Sequence, residues 1–149
     1  DLMSYAKIKP AMLQIESHPY LTQENLIRHA KNYNMAVTAF SPLGSLSYVS
    51  LNMAKNTDSI LSRSEVLRIS KDVGKTPAQV VLRWGLQRHT AVIPKTVQIS
   101  RLEENISLFD FNLNDEQMDS ISGLNCNRRF NDPGKFCENA FGKFYSIYD

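Results

Sequence analysis

The stretch MAVTAFSPLGS, residues 35–45, is a mostly apolar run that stops abruptly in a loop carrying Pro42 and Gly44. Short apolar runs with β-branched residues, such as Val37 and Thr38 here, belong to strands covered on both faces, the situation of a parallel sheet. Before it, Leu26, Ile27, Ala30 and Tyr33 form an apolar stripe at helical spacing over 23–33, with Thr22 as the expected N-cap and Asn34 as the stop. Earlier still, PAMLQIE (10–16) alternates as a strand does, with Met12 and Gln14 on one side and Leu13 and Ile15 on the other, and SHPYL (17–21) is a loop. After it, SPLGSLS (41–47) opens a loop expected to stay polar through about residue 60.

The remainder alternates in the same way. A helix is expected over 63–73, with Val66, Leu67, Ile69 and Val73 as its stripe and Gly74 as its stop. Thr76 caps a second helix that has Pro77 at its first position and runs through Gln87. TAVIP (90–94) reads as a strand, 95–100 as a turn, 101–108 as a helix, and FDF (109–111) as a very short fourth strand. The Asn114-to-Gln117 capping pattern opens a last helix ending near Gly123, and 125–149 reads as a long aromatic-rich loop. Strands alternating with helices imply parallel pairing and an α/β class. Four such units, with neither GxGxxG nor GxxxxGK[ST], suit half of an eight-unit barrel at least as well as a doubly wound sheet and argue against Rossmann and P-loop folds.

Composition bounds the rest. The 149 residues are 42% hydrophobic and 21% charged, enough for one domain with a core. No apolar run approaches the roughly 20 residues of a membrane helix. The net charge of +2 is scattered, so neither nucleic acid nor a membrane is expected as partner. Cys126 and Cys137 show neither CxxC nor metal-ligand spacing, so no metal site is expected, and the thiols imply a reducing, cytoplasmic setting. The opening DLMSYA has no initiator Met or signal segment and reads like the tail of an interior helix, as a piece of a longer chain would. A whole β/α barrel takes about 250 residues, so this length is near half of one.

Three loops follow strands at the end where a β/α barrel carries its site. They hold Gln14, Glu16 and His18 after the first strand and Phe40, Ser41, Pro42, Leu43, Gly44 and Ser45 after the second. After the third come Lys95, Thr96, Val97 and Gln98, with Arg101, Glu104 and Asn105 on the next helix. An amide, a flat ring, small hydroxyls on a turn and a cationic cluster at a helix start match a nucleotide with a nicotinamide end and a phosphate end. Of the other polar candidates, His18 reads as fixing its loop, Glu16 as a buried structural carboxylate as readily as a site residue, and His29 and His89 as solvated. Trp84 reads as core, and both cysteines as inert.

In order and spacing, QIESHPYLTQ (14–23), TAFSPLGS (38–45), KTPAQVVLRWGLQR (75–88) and VIPKTVQISRLEENISLFDFNL (92–113) resemble the C-terminal half of an aldo-keto reductase. The resemblance implies a (β/α)8 TIM barrel, with its last four βα units in residues 1–124 and a substrate loop in 125–149. It implies NADPH-dependent reduction of a small aldehyde or aldose. Gln14 would bind the nicotinamide carboxamide, Phe40 would stack on the ring, and 41–45 would lie along the pyrophosphate. Lys95, Thr96 and Arg101 would hold the 2′-phosphate, with Glu104 and Asn105 at the adenine. Val97 and Gln98 sit between these groups, Gln98 where the family often has a smaller residue. The family's acid–base Tyr and its Lys, Asp and His partners come from the N-terminal half, and no Tyr here stands in that motif. No catalytic residue is therefore assigned, and the missing half-barrel is the implied partner. Arg128 and Arg129 raise the idea of an anionic sugar. The alternatives are a non-catalytic NADP(H)-binding or structural barrel protein and an inactive truncated fragment. An isolated half would leave sheet edges and an apolar interior open and would aggregate or dimerise.

Overall fold

Alternation in the first strand is what the sheet uses. In the computed structural model, which describes residues 1–148 apart from the side chains of residues 135, 136 and 139, strand β1 spans Met12–Glu16, β2 Ala36–Phe40 and β3 Ala91–Ile93. All pairs are parallel in the order β1-β2-β3, with Gln14 opposite Thr38, Glu16 opposite Phe40, and Phe40 opposite Ile93. Neighbouring strands are consecutive in the chain, so no reversal of strand order marks a doubly wound switch point among the described residues.

Leader helix α1 (Leu2–Tyr5) is short, and α2 (Glu24–Asn32) covers the outer sheet face, packing Ile27 and Ala30 against Ile15 and Val37. A second core joins α3 (Ser64–Val73), α4 (Pro77–Gln87) and α6 (Asp115–Ser122) through Val66, Ile69, Val80, Val81, Trp84 and Ile121. Trp84 is the largest fully buried side chain; its indole N–H donates to Ser122 Oγ at 2.9 Å, and the Arg88 guanidinium covers its ring at 4.3 Å. Thr76 and Asn114 cap α4 and α6 as their sequences predict, each in a reciprocal box with Gln79 or Gln117. No helix among the described residues is long and apolar enough to cross a membrane.

Several sequence expectations need correction. FDF (109–111) forms no strand: Phe109 is exposed, Asp110 pairs with Lys75 at 2.5 Å, and Phe111 packs onto the helical core. The described sheet therefore has three strands, not four. The helix expected at 101–108 is α5, Ile99–Ile106. Gln23, in the left-handed region at φ 55°, takes the N-cap position of α2 in place of Thr22. Thr22 is used otherwise: its N–H donates to Asn125 Oδ1 at 3.2 Å and its carbonyl accepts from Arg88 at 2.6 Å. The 41–60 segment is not uniformly polar loop but carries 3-10 turns at Gly44–Tyr48, Asn56–Asp58 and Ile60–Ser62, with Ile60 wholly buried. Within the tail, which reads as one long loop, Pro133–Phe141 forms helix α7, with Asp132 as its N-cap and Pro133 as its first residue, Asp132 Oδ1 accepting from Gly134 N at 3.0 Å. Residue 149 of the expected tail lies outside the described residues.

The inner sheet face is open: Met12, Gln14 and Ile93 are exposed along it, and Ile99, Leu102 and Ile106 make an exposed apolar stripe on α5. Gly44 turns the chain at φ 73°, where a Cβ would run into Ile60 Cδ1. Gly44→Ala is thus expected to lower stability by about 1–3 kcal/mol, from the left-handed backbone and overpacking together, read as a shift of the urea midpoint at constant slope.

Candidate functional site

The loop after β2 and the segment from β3 into α5 face each other across a cavity of about 580 Å³. Ser41, Pro42, Leu43 and Gly44 form one wall; Lys95, Thr96, Val97, Gln98, Arg101, Glu104 and Asn105 form the other. Residues over fifty positions apart are brought together because parallel pairing places the ends of β2 and β3 side by side. Ser41 is held at φ 50°; its carbonyl accepts from Gly44 N at 2.8 Å, and its hydroxyl meets the Tyr48 hydroxyl at 2.7 Å. Burial pushes the Tyr48 phenol above its ordinary range in spite of that hydrogen bond.

The opposite wall is electropositive. Neither Lys95 nor Arg101 has an ion-pair partner among the described residues, and both are exposed at the cavity. Helix α5 starts at Gln98 with no side-chain cap, unlike α4 and α6. Thr96 Oγ1 accepts from Gln98 N at 3.1 Å and so tightens the turn leading into it. Free first-turn N–H groups beside two unpaired cations suit an anionic group such as a phosphate.

Three of the residues expected at the site lie elsewhere. Gln14 is exposed on the inner sheet face, and Phe40 is half-buried on that same face at the end of β2; neither lines the cavity. Ser45 is fully buried, its hydroxyl without a partner, and so it offers the cavity no side chain. Thr76, Ala78, Ser47 and Ser50 do line it. Thr76 is legible in the sequence only as a cap, and nothing in the loop pattern separates Ser47 or Ser50 from solvated serines.

Glu16 and His18 belong to a different arrangement. Glu16 is wholly buried; Oε1 accepts from Phe130 N at 2.8 Å and lies 2.9 Å from His18 Nε2, while Oε2 accepts from Asn131 N at 3.0 Å. Phe130, also buried, stacks on Tyr48 at 6.0 Å and tilts against His18 at 5.2 Å. Arg128 is engaged bidentately by Asp58 at 2.9 and 2.7 Å, and Arg129 sits 3.8 Å from the Tyr148 ring centroid. Arg129 also lies 3.9 Å from Glu16 Oε2, so each guanidinium has a partner within the chain.

The sequence model of the Aldo/keto reductase family matches residues 1–125. The chain belongs to that family. It is 47% identical over 135 residues to a probable NAD(P)H-dependent D-xylose reductase of Aspergillus clavatus, covering 89% of this chain and 41% of that one. It is 46% identical over 135 residues to the NAD(P)H-dependent D-xylose reductase of Aspergillus niger, covering 89% and 42%. Among solved structures, the aldose reductase of Schistosoma japonicum superimposes with a TM-score of 0.74 at 38% identity, covering 86% of this chain and 38% of that one. An aldo-keto reductase of the silkworm Bombyx mori does so with a TM-score of 0.78 at 33% identity, covering 89% and 40%. The chain spans about two fifths of the length of these relatives.

The Glu16 carboxyl feels burial, which raises its pKa, but the hydrogen bonds from His18 and from the Phe130 and Asn131 amides, with the attraction of His18, outweigh it and leave the pKa below the ordinary 4.5. Its stabilising contribution is therefore full above pH 4.5 and is lost as pH falls through the lower folded value. Glu16→Gln is expected to destabilise the chain by roughly 1–3 kcal/mol at neutral pH, since an amide can neither carry the charge nor accept at both ends. The same variant should flatten the acid limb below pH 4.5, as followed by circular dichroism.

Proposed function

We propose that this chain supplies the cofactor-binding half of a (β/α)8 oxidoreductase that uses NADPH to reduce the carbonyl of an aldehyde or aldose to an alcohol. The observation that carries this reading is the meeting of unpaired Lys95 and Arg101 with Thr96 at the uncapped start of α5, across a cavity from the 41–44 turn. Such a site fits a dinucleotide with an extra phosphate: two cations and a hydroxyl at the 2′-phosphate, turn residues 41–44 along the pyrophosphate, and Glu104 with Asn105 at the adenine. Ser45, being buried, takes part only by supporting the turn. The nicotinamide end falls to Gln14 and Phe40, which share the inner sheet face. The names of the fungal relatives, NAD(P)H-dependent D-xylose reductases, support both a nicotinamide cofactor and an aldose substrate.

When bound, the cofactor supplies the hydride that reaches the carbonyl carbon. Residues of this chain bind the phosphates, orient the ring end and fix the tail. The resemblance puts the family's acid–base Tyr in the N-terminal half of the barrel, so the proton for the carbonyl oxygen would come from outside this chain. The open inner face and the stripe Ile99, Leu102 and Ile106 are the surfaces on which the remaining βα units would close. Residues 1–124 would then form the barrel portion, with 125–149 the substrate-side tail, in a cytoplasmic enzyme. The alternative of a nucleotide binder without turnover shares every contact assigned to this chain and differs only in the proton donor.

Titration calorimetry with NADP+ and NAD+ tests the reading. Arg101→Ala is expected to weaken NADP+ by roughly 10- to 100-fold, the worth of a charged hydrogen bond, and NAD+ by much less. Equal losses for the two dinucleotides would remove the 2′-phosphate role. Joined to the rest of the barrel, the chain should support NADPH oxidation by D-xylose; binding without oxidation would favour the non-catalytic alternative.

A further inference from the structure

Thr76 caps α4, but its hydroxyl has a second engagement that the cap does not require. Oγ1 accepts from Gln79 N at 3.2 Å, and its one proton is donated to Glu104 Oε1 at 2.5 Å. Gln79, itself buried, closes the box by accepting from Thr76 N at 3.1 Å. Its amide then donates to the carbonyls of Glu104 at 3.2 Å and Ser107 at 2.9 Å. The start of α4 thus grips Glu104 by backbone and side chain together. Thr76 and Glu104 both line the cavity, with Asn105 beside them.

We infer that Thr76 is a positioning residue: it holds the Glu104 carboxylate in one orientation so that its second oxygen reads the amino group of a purine. The inference rests on the nucleotide reading above and adds to it how the base is discriminated. Among the described residues, Glu104 Oε2 has no hydrogen-bond partner, so it stands as a vacant acceptor at the cavity wall. A carboxylate can only accept, whereas the neighbouring Asn105 can present either end of its amide. Selectivity for an amino over a carbonyl substituent therefore falls to Glu104. An untethered glutamate would have to lose its rotamer freedom on binding; one already fixed by Thr76 has lost it on folding.

The test titrates the chain joined to the rest of its barrel with NADP+ and with its hypoxanthine counterpart, in which a carbonyl replaces the adenine amine. The unmodified chain should prefer NADP+. Thr76→Ser keeps both the cap and the proton and should keep the preference. Thr76→Asp still caps α4 but has no proton to give and repels Glu104; it should weaken NADP+ by roughly five- to tenfold more than the hypoxanthine form. Thr76→Val should behave likewise, and thermal melts establish that each variant is folded. In a Glu104→Gln background, Thr76→Asp should no longer alter the preference between the two dinucleotides. A folded Thr76→Asp chain with the original preference overturns the inference, as does an unmodified chain that binds both dinucleotides equally. Binding of neither dinucleotide by the unmodified, folded barrel brings down the nucleotide reading itself.

Discussion

The buried carboxylate of Glu16 ties together parts of the chain that lie more than a hundred residues apart. A charge removed from water is tolerated only when it is paired and hydrogen-bonded, and the groups that satisfy Glu16 are the tail amides of Phe130 and Asn131 and the ring of His18. Their dependence is mutual. Without the tail the carboxylate would keep only the His18 ring, and without the carboxylate two amides at the end of β1 would lose their acceptors. Phe130, fixed by this bond, fills the space beneath the 41–48 turn, where it stacks on Tyr48 and approaches Gly44. The turn that forms one wall of the cavity thus rests on a ring delivered by the far end of the sequence.

The other wall depends on a contrast between helices. At α4 and α6, side chains meet the orphan N–H groups of the first turn, and those ends are chemically closed. At α5 no side chain does so, and the cations on that side of the cavity are also unpaired. Surface salt bridges elsewhere, such as Lys75 with Asp110 or Arg88 with Glu24, show that partners for cations are not scarce in this fold. Leaving Lys95 and Arg101 without them keeps charge available to a ligand at little cost to stability, since exposed pairs contribute only about 0–1 kcal/mol each.

Much of this was legible in the sequence, and the limits have physical causes. The strands around Gln14 and Thr38 and the helices around Ile27, Ile69 and Trp84 were readable because each buries one face, and burial imposes a period. The capping boxes at Thr76 and Asn114 were readable because they are local. FDF misled because three residues are too few to carry a period, and its two rings go to different fates, one packed and one exposed. Helix α7 was not legible because the tail around it shows no clear hydrophobic period. Thr22 looked like a cap until Asn125 and Arg88, both distant in sequence, claimed its backbone. At the site, Lys95 and Arg101 stood out by charge, but the second bond of Thr76 depends on how α4 meets α5, and no local pattern encodes that.

All the residues lining the cavity fall between 41 and 105, and none comes from the tail. On the proposed reading, the determinants of phosphate and adenine recognition would be one contiguous block in a gene, separate from the codons for the segment anchored by Glu16. Lineages could exchange or drift in one block while selection holds the other. A change of cofactor preference would then leave its mark on a short internal stretch and spare the end of the chain.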